Sequence, residues 1–377
     1  MSGPHRVYFI PGMFGFGRLA GYDYFIHVRR GLEQRFKDAG VAVKIEDVPS
    51  PPTSSLRQRS RVLARTVLRS AGSEDGPIHL VGHSTGGLDA RLVLSPSVNL
   101  ASDAPLLDWM PRVRTCVSMN APHYGTPLAG YFATVAGTRV LYALSLLTFV
   151  SLSLGEPSLA VFSRLLAGLG GVDQLLGGGD LRLISRATGA ILRFVDERGR
   201  GEIVDFLGHI RIDQGGVIQI MPEAMDLFNA ATEDRPSVRY GSIASAAPPP
   251  LTLRFARSVR SPYAALTAAM YSTLYQFTAQ QPKMYPYPVP TDAQRRVLAQ
   301  GVGQPVTERT NDGVVPTLSM LWGQLLWAGD GDHLDLLGHF RDDHKPTDHV
   351  DWVTSGANFN RQRFGAMLDA LAKFQLA

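Results

Sequence analysis

Cysteine is almost missing from this chain. Cys116 stands alone among 377 residues, which excludes a disulfide framework and any metal site built on cysteine. Lysine is nearly as scarce, at 5 residues against 32 Arg. The Arg are scattered rather than gathered in a run, so the net charge of +4 marks a surface trait, and nucleic acid, which needs a clustered basic patch, is not an expected partner. Internal repeats and low-complexity tracts are absent. A G-x-x-x-x-G-K-[ST] phosphate loop is absent, and the glycines after the first strand lack the G-x-G-x-x-G register, so nucleotide chemistry is excluded. The start, "MSGPHRVYFIPG", turns strand-like by about His5 and leaves no room for a charged, an apolar and a cleavage region. The expectation is a cytoplasmic protein.

What is present is an ordinary globular composition, 45% hydrophobic and 19% charged, with strand and helix signals alternating over the first 125 residues. "HRVYFI", "VAVKIEDV" (41 to 48), "PIHLVGHS" and "VRTCVSMNAP" read as strands. Between them, Tyr24, Val28, Leu32 and Phe36 recur every four residues up to Gly40, and "SSLRQRSRVLARTVLRSAG" reads as a helix with Ser54 or Ser55 as N-cap. "SVRYGSIASA" (237 to 246) and "WGQLLWAG" bring two more strands, and "NRQRFGAMLDALAKF" a terminal helix. The predicted fold is α/β, a mostly parallel sheet flanked by helices. Its core takes residues 1–127, 236–247 and 301–377, with a helical cap at 128–235 and a second insertion at 248–300 lining the active site.

"HLVGHSTGGLDAR" (79 to 91) contains G-x-S-x-G in Gly82, Ser84 and Gly86, after a strand and at the opening of a helix. In that setting a serine on a tight turn is a nucleophile, and side chains beside it would clash. A serine hydroxyl needs a base, and the base a carboxylate to orient it. In chain order Ser, acid, His, "TNDGVVP" offers Asp312 on a turn and "GDHLD" offers His333 beyond the last strand. Oxyanion donors come from the backbone of Thr85, after the nucleophile, and of Met13 in "IPGMFGFG", with Phe14 as second choice. His339, His344 and His349 lie in the polar stretch "GHFRDDHKPTDHVDW", which is either a metal site or a solvated loop. His123 is expected to orient the loop after its strand, and Asp89 to sit favourably near the positive end of the nucleophile helix.

With these segments in this order, the chain resembles the bacterial triacylglycerol lipases of the α/β hydrolase superfamily, the Pseudomonas and Burkholderia type. The likeness covers roughly residues 5 to 125, 237 to 247 and 305 to 340. It implies a carboxylic ester hydrolase, triacylglycerol lipase or carboxylesterase, with Ser84, Asp312 and His333 catalytic, Met13 and Thr85 as oxyanion donors, and no required cofactor. Asp335 is similar in position to a calcium ligand, so a structural calcium is considered, with Asp292 as a second carboxylate. Three features depart from the pattern. Pro11 stands where these lipases carry a histidine that anchors the oxyanion loop, the lone cysteine cannot form their disulfide, and no export signal is seen.

An acyltransferase or thioesterase would use the same residues, and a lipid-binding module would keep the fold without them. Leu141, Leu144, Leu147, Phe149, Tyr271, Tyr275 and Phe277 either line a hydrophobic acyl pocket or pack the insertions' own core. Val140 to Gly155 carries no charge. As a helix it spans about 24 Å, short of a hydrocarbon core of about 30 Å, and a crossing there would part Ser84 from Asp312 and His333. Ser145, Thr148 and Ser151 form a thin polar stripe on it. The expectation is a lid that meets a lipid surface transiently, without a transmembrane span.

Overall fold

The computed structural model describes the chain outside residues 1–2, 14, 16–17, 20–21, 72–74, 101–106, 135–136, 138–140, 142–144, 146–196, 251, 281, 343–348 and 350. In chain order its main elements are β1 (His5–Ile10), α1 (Ile26–Asp38), β2 (Val43–Asp47), α2 (Leu56–Ala71), β3 (Ile78–His83), α3 (Thr85–Leu94), β4 (Val113–Met119) and α4 (Pro127–Phe132). There follow α5 (Glu197–Ile212), α6 (Gly215–Gln219), α7 (Pro222–Ala231), β5 (Arg239–Ala246), α8 (Leu253–Ser258), α9 (Pro262–Thr278), α10 (Asp292–Val302), β6 (Gln324–Asp330) and α11 (Arg361–Leu376).

All six strands run parallel in one sheet, in the order β2-β1-β3-β4-β5-β6. Every residue of β3 is buried, as expected of a central strand whose two faces are both covered by helices. The register puts Ile10 beside Gly82, and His83 beside Met119, so the loops after β1, β3 and β4 leave the sheet side by side. At the other end Gly331 N donates to Ala246 O at 3.1 Å, which brings the turn after β6 to the same edge. Ligands in open α/β sheets bind outside the carboxyl ends of strands, and the catalytic candidates gather there.

Helix α1 buries Val28, Leu32 and Phe36, the residues of its four-residue repeat. On α2, Leu56, Leu63 and Val67 face the core, and Ser55 Oγ accepts from Gln58 N at 3.3 Å. Helix α3 is buried along its whole length, so the turn at Ser84 that precedes it is held by packing.

Helix α10, at the end of the stretch read as the second insertion, packs Leu298 and Val302 in one buried cluster with Leu325 and Ala328 of β6. In the second insertion, Tyr271 and Tyr275 lie in the main core, where Tyr271 Oη donates to Pro248 O at 2.6 Å. Phe277 stacks on Tyr131 with ring centres 4.0 Å apart. The described part of 128–235 is mainly helical. Leu141 and Ser145 are buried, and Ser145 Oγ donates to Leu141 O at 2.9 Å. Leu144, Leu147, Thr148, Phe149 and Ser151 fall outside the described residues. Among those described, no helix is long and apolar enough to cross a membrane.

Candidate active site

Ser84 sits between β3 and α3 with φ 53° and ψ −127°, a strained backbone for a residue with a side chain. The motif glycines make this turn possible. A Cβ on Gly86 would stand 2.1 Å from Ile10 O, and one on Gly82 would stand 2.3 Å from the Gly86 backbone.

His333 follows β6, and its Nδ1 lies 2.6 Å from Asp312 Oδ2. Asp312 is buried on a turn where its Oδ1 accepts from Val314 N at 2.8 Å and Val315 N at 2.7 Å. Asn311 Oδ1 closes the same turn by accepting from Gly313 N. Ser84 and His333 line one cavity of about 60 Å³, walled by Tyr24, Leu128, Phe132, Ile220, Val314 and Trp352. The structure thus brings the three sequence-predicted catalytic residues together, 21 residues separating acid from base.

Of the oxyanion candidates, Thr85 is the first residue of α3, and Met13 lines the cavity from the loop after β1. Phe14 lies outside the described residues. A Cβ on Gly12 would come 2.7 Å from Ser84 Cβ, so only glycine lets this loop pass beside Ser84. With Pro11 in place of that histidine, the loop is anchored by an arginine instead. Arg59 Nη2 donates to Pro11 O at 2.6 Å, and Arg59 Nη1 donates to Pro51 O. Asp89 supports that guanidinium at 2.9 Å from Nε and 2.8 Å from Nη2, with both side chains buried. Asp89 is thus ion-paired with Arg59. Burial pushes its carboxyl up to about 6, against the opposing pull of Arg59. Arg59 is a residue the sequence reading passed over, although an arginine on the apolar stripe of Leu56, Leu63 and Val67 was a visible signal.

His83 is buried, with Nδ1 2.9 Å from Tyr24 Oη and Nε2 2.9 Å from His333 O. His123 is structural as expected: Nε2 lies 2.8 Å from Ser118 Oγ and Nδ1 lies 3.2 Å from Arg91 Nη1. His339 and His349 are not solvated. Both are buried, His349 stacks on Phe340 at 4.2 Å, and its Nδ1 donates to Gly338 O. His344 lies outside the described residues.

Beside His333, Asp332, Asp335 and Asp351 each bring an oxygen within 4.8 Å of the others. Burial, then the neighbouring Asp332 and Asp351, hold the Asp335 carboxyl well above the usual range, and burial also raises Asp332. Among the described residues no donor reaches the buried Oδ2 of Asp332. Asp292 is elsewhere, exposed at the start of α10 and ion-paired with Arg295.

No family model matches the chain. A triacylglycerol lipase of Vibrio cholerae serotype O1 is 33% identical over 98 residues, which span 26% of this chain and 30% of that lipase. EstA from Clostridium botulinum superposes with a TM-score of 0.53 at 15% identity, over 99% of this chain and 88% of that one. Lipase 1 from Pelosinus fermentans gives 0.51 at 14% identity, over 98% and 99% of the two chains. The chain shares the α/β fold of these two proteins, a mostly parallel sheet flanked by helices. At this identity the likeness concerns the fold, and the chemistry has to be argued from the side chains.

Proposed function

We propose that this protein is a serine hydrolase of carboxylic esters with hydrophobic acyl groups. The observation that carries the reading is the 2.6 Å contact of His333 Nδ1 with Asp312 Oδ2 in the wall of the cavity that holds Ser84. A carboxylate only accepts, so Nδ1 bears the proton and Nε2 is the basic nitrogen. Ser84 attacks the ester carbonyl while Nε2 takes its proton, and the alcohol leaves with that proton. Water, deprotonated by the same nitrogen, then releases the acid. The N–H groups of Met13 and Thr85 hold the oxyanion, and losing one such donor raises the barrier by about 3 kcal/mol. The apolar cavity wall suits an acyl chain, and the uncharged run from Val140 to Gly155 suits transient contact with a lipid surface.

Calcium fits the carboxylates of Asp332, Asp335 and Asp351: it is a hard cation that takes oxygen ligands, and the bare Oδ2 of Asp332 is such a ligand. The ion would neutralise buried like charges, and no step of the hydrolysis passes through it.

The test is fluorophosphonate labelling together with a series of p-nitrophenyl esters of rising chain length, with Ser84→Ala as control. Labelling of the wild type alone, and activity that grows with chain length, are the expected results. An unlabelled wild type overturns the reading, and a preference for acetate overturns its acyl-chain part.

A further inference from the structure

We infer that His83, the variable residue of G-x-S-x-G, is a positioning residue for the catalytic histidine, and that Tyr24 fixes the ring state in which it works; this rests on the ester-hydrolase reading above. His83 is fully buried at the end of β3, and its Nε2 lies 2.9 Å from the main-chain carbonyl of His333. A carbonyl can only accept, so Nε2 carries the hydrogen. Nδ1 of the neutral ring is then bare, and Tyr24 Oη, 2.9 Å away, donates to it. In the neutral ring only this tautomer satisfies both contacts, and a rotated ring would lose them.

The same carbonyl is approached from a second strand. Asn120 follows β4 in the left-handed region at φ 48°, its Nδ2 lies 3.4 Å from His333 O, and the same nitrogen donates to Ser245 Oγ at 2.8 Å. Ser245 Oγ reaches Asp332 O at 3.4 Å. The turn carrying His333 is thus tied by its carbonyls to the ends of β3, β4 and β5.

This matters because Asp312 grips one ring nitrogen only, and a ring held at one point can still pivot. Fixing the main chain of His333 at its carbonyl removes the pivot and sets Nε2 relative to Ser84. The two imidazoles lie 4.7 Å apart, centre to centre. Burial first, and then the charge on His333, hold the His83 pKa well below the ordinary value, so His83 stays neutral beside the imidazolium that acylation creates.

The experiment compares His83→Leu, His83→Gln and Tyr24→Phe with wild type in the full chain. Two readouts are taken: kcat and KM on a p-nitrophenyl ester, and the far-downfield proton resonance of the His333–Asp312 hydrogen bond. A displacement of about 1 Å at a reacting group lowers rates about 100-fold, so His83→Leu is expected to lose about that much kcat with KM unchanged, and to lose or broaden the resonance. His83→Gln, whose amide can still donate to the carbonyl, recovers about tenfold of that loss, in line with one neutral hydrogen bond. Tyr24→Phe removes one hydroxyl and lowers kcat by about threefold; it carries the test where the leucine variant does not fold. Wild-type kcat and resonance in His83→Leu, or glutamine no better than leucine, overturns the positioning role. So does wild-type kcat with an intact resonance in Tyr24→Phe. A wild type inactive on every ester sinks the hydrolase reading instead, and the resonance then still tests the clamp.

Discussion

Replacing Arg59 by methionine separates what this residue does for the fold from what it does for the site. The side chain is buried, and it joins Asp89 to the carbonyls of Pro11 and Pro51. Arg59→Met leaves Asp89 as a buried charge without its partner, which costs about 3 to 5 kcal/mol of stability. Arg59→Met/Asp89→Leu removes that charge as well, and apolar replacement of a whole buried pair is often close to neutral, so most of the loss is recovered. Activity follows a different rule. The carbonyl of Pro11, two residues before Met13, loses its donor in both variants, and the oxyanion loop loses its tie to α2. A misplaced oxyanion donor lowers kcat about 100- to 1000-fold, and the double variant should show this at near wild-type stability. Urea denaturation and p-nitrophenyl ester kinetics on the two variants make the measurement. A double variant that is stable and turns over at the wild-type rate refutes the anchoring role.

Three further outcomes follow from other parts of the molecule. Burial holds the pKa of His79 down at about 3, while an unfolded histidine titrates near 6.5; the unfolded state therefore binds the extra proton, and this contribution is lost as pH falls from 6.5 toward 3. Between pH 7 and 5 it amounts to about 2 kcal/mol, so His79→Gln should lose that much less stability than wild type over this range. Parallel urea titration curves for the two proteins would count against it. Calcium at a hundredfold excess over its Kd should stabilise chelator-treated protein by about 2.7 kcal/mol and do nothing for Asp335→Asn; an unmoved unfolding midpoint removes the ion from the account. Changing Leu144 and Leu147 to Gln should weaken activity on emulsions more than on soluble esters, since exposing each large apolar side chain in water costs about 1.5 to 3 kcal/mol, and equal losses would make this stretch an ordinary core helix.

Local signals made the fold readable. The strands β1 to β6 each stand out as short apolar runs ended by glycine, proline or polar residues, and the buried faces of α1 and α2 follow a helical repeat. The triad candidates were readable because each sits on a turn with its own sequence mark: the glycines around Ser84, the Asn311–Gly313 turn around Asp312, and the polar stretch after β6 for His333. What the sequence hid depends on partners far along the chain. Arg59 meets Asp89 across 30 residues, and His83 meets His333 across 250. Asp351 joins Asp332 and Asp335 only because the chain after β6 folds back. Tyr271 and Tyr275 stayed open between pocket and core for the same reason: their apolar surface was evident, but the wall they face is set by how α9 packs.

These long-range contacts converge on one short segment. From Gly331 to Asp335 the chain is tied to Ala246 O through Gly331 N, to Ser245 through Asp332 O and to His83 through His333 O. Asp335 Oδ2 accepts from Asp332 N at 2.7 Å. His333, the proposed base, therefore does not hang on a free loop; its main chain is tied on both sides, and its ring meets Asp312. Residues that never touch a substrate can govern the rate through this segment, by changing where Nε2 points and not how basic it is. Substitutions at His83 and Asn120 should accordingly act on kcat in common, and a double variant of the two should cost less than the product of the single effects, because both release the same carbonyl.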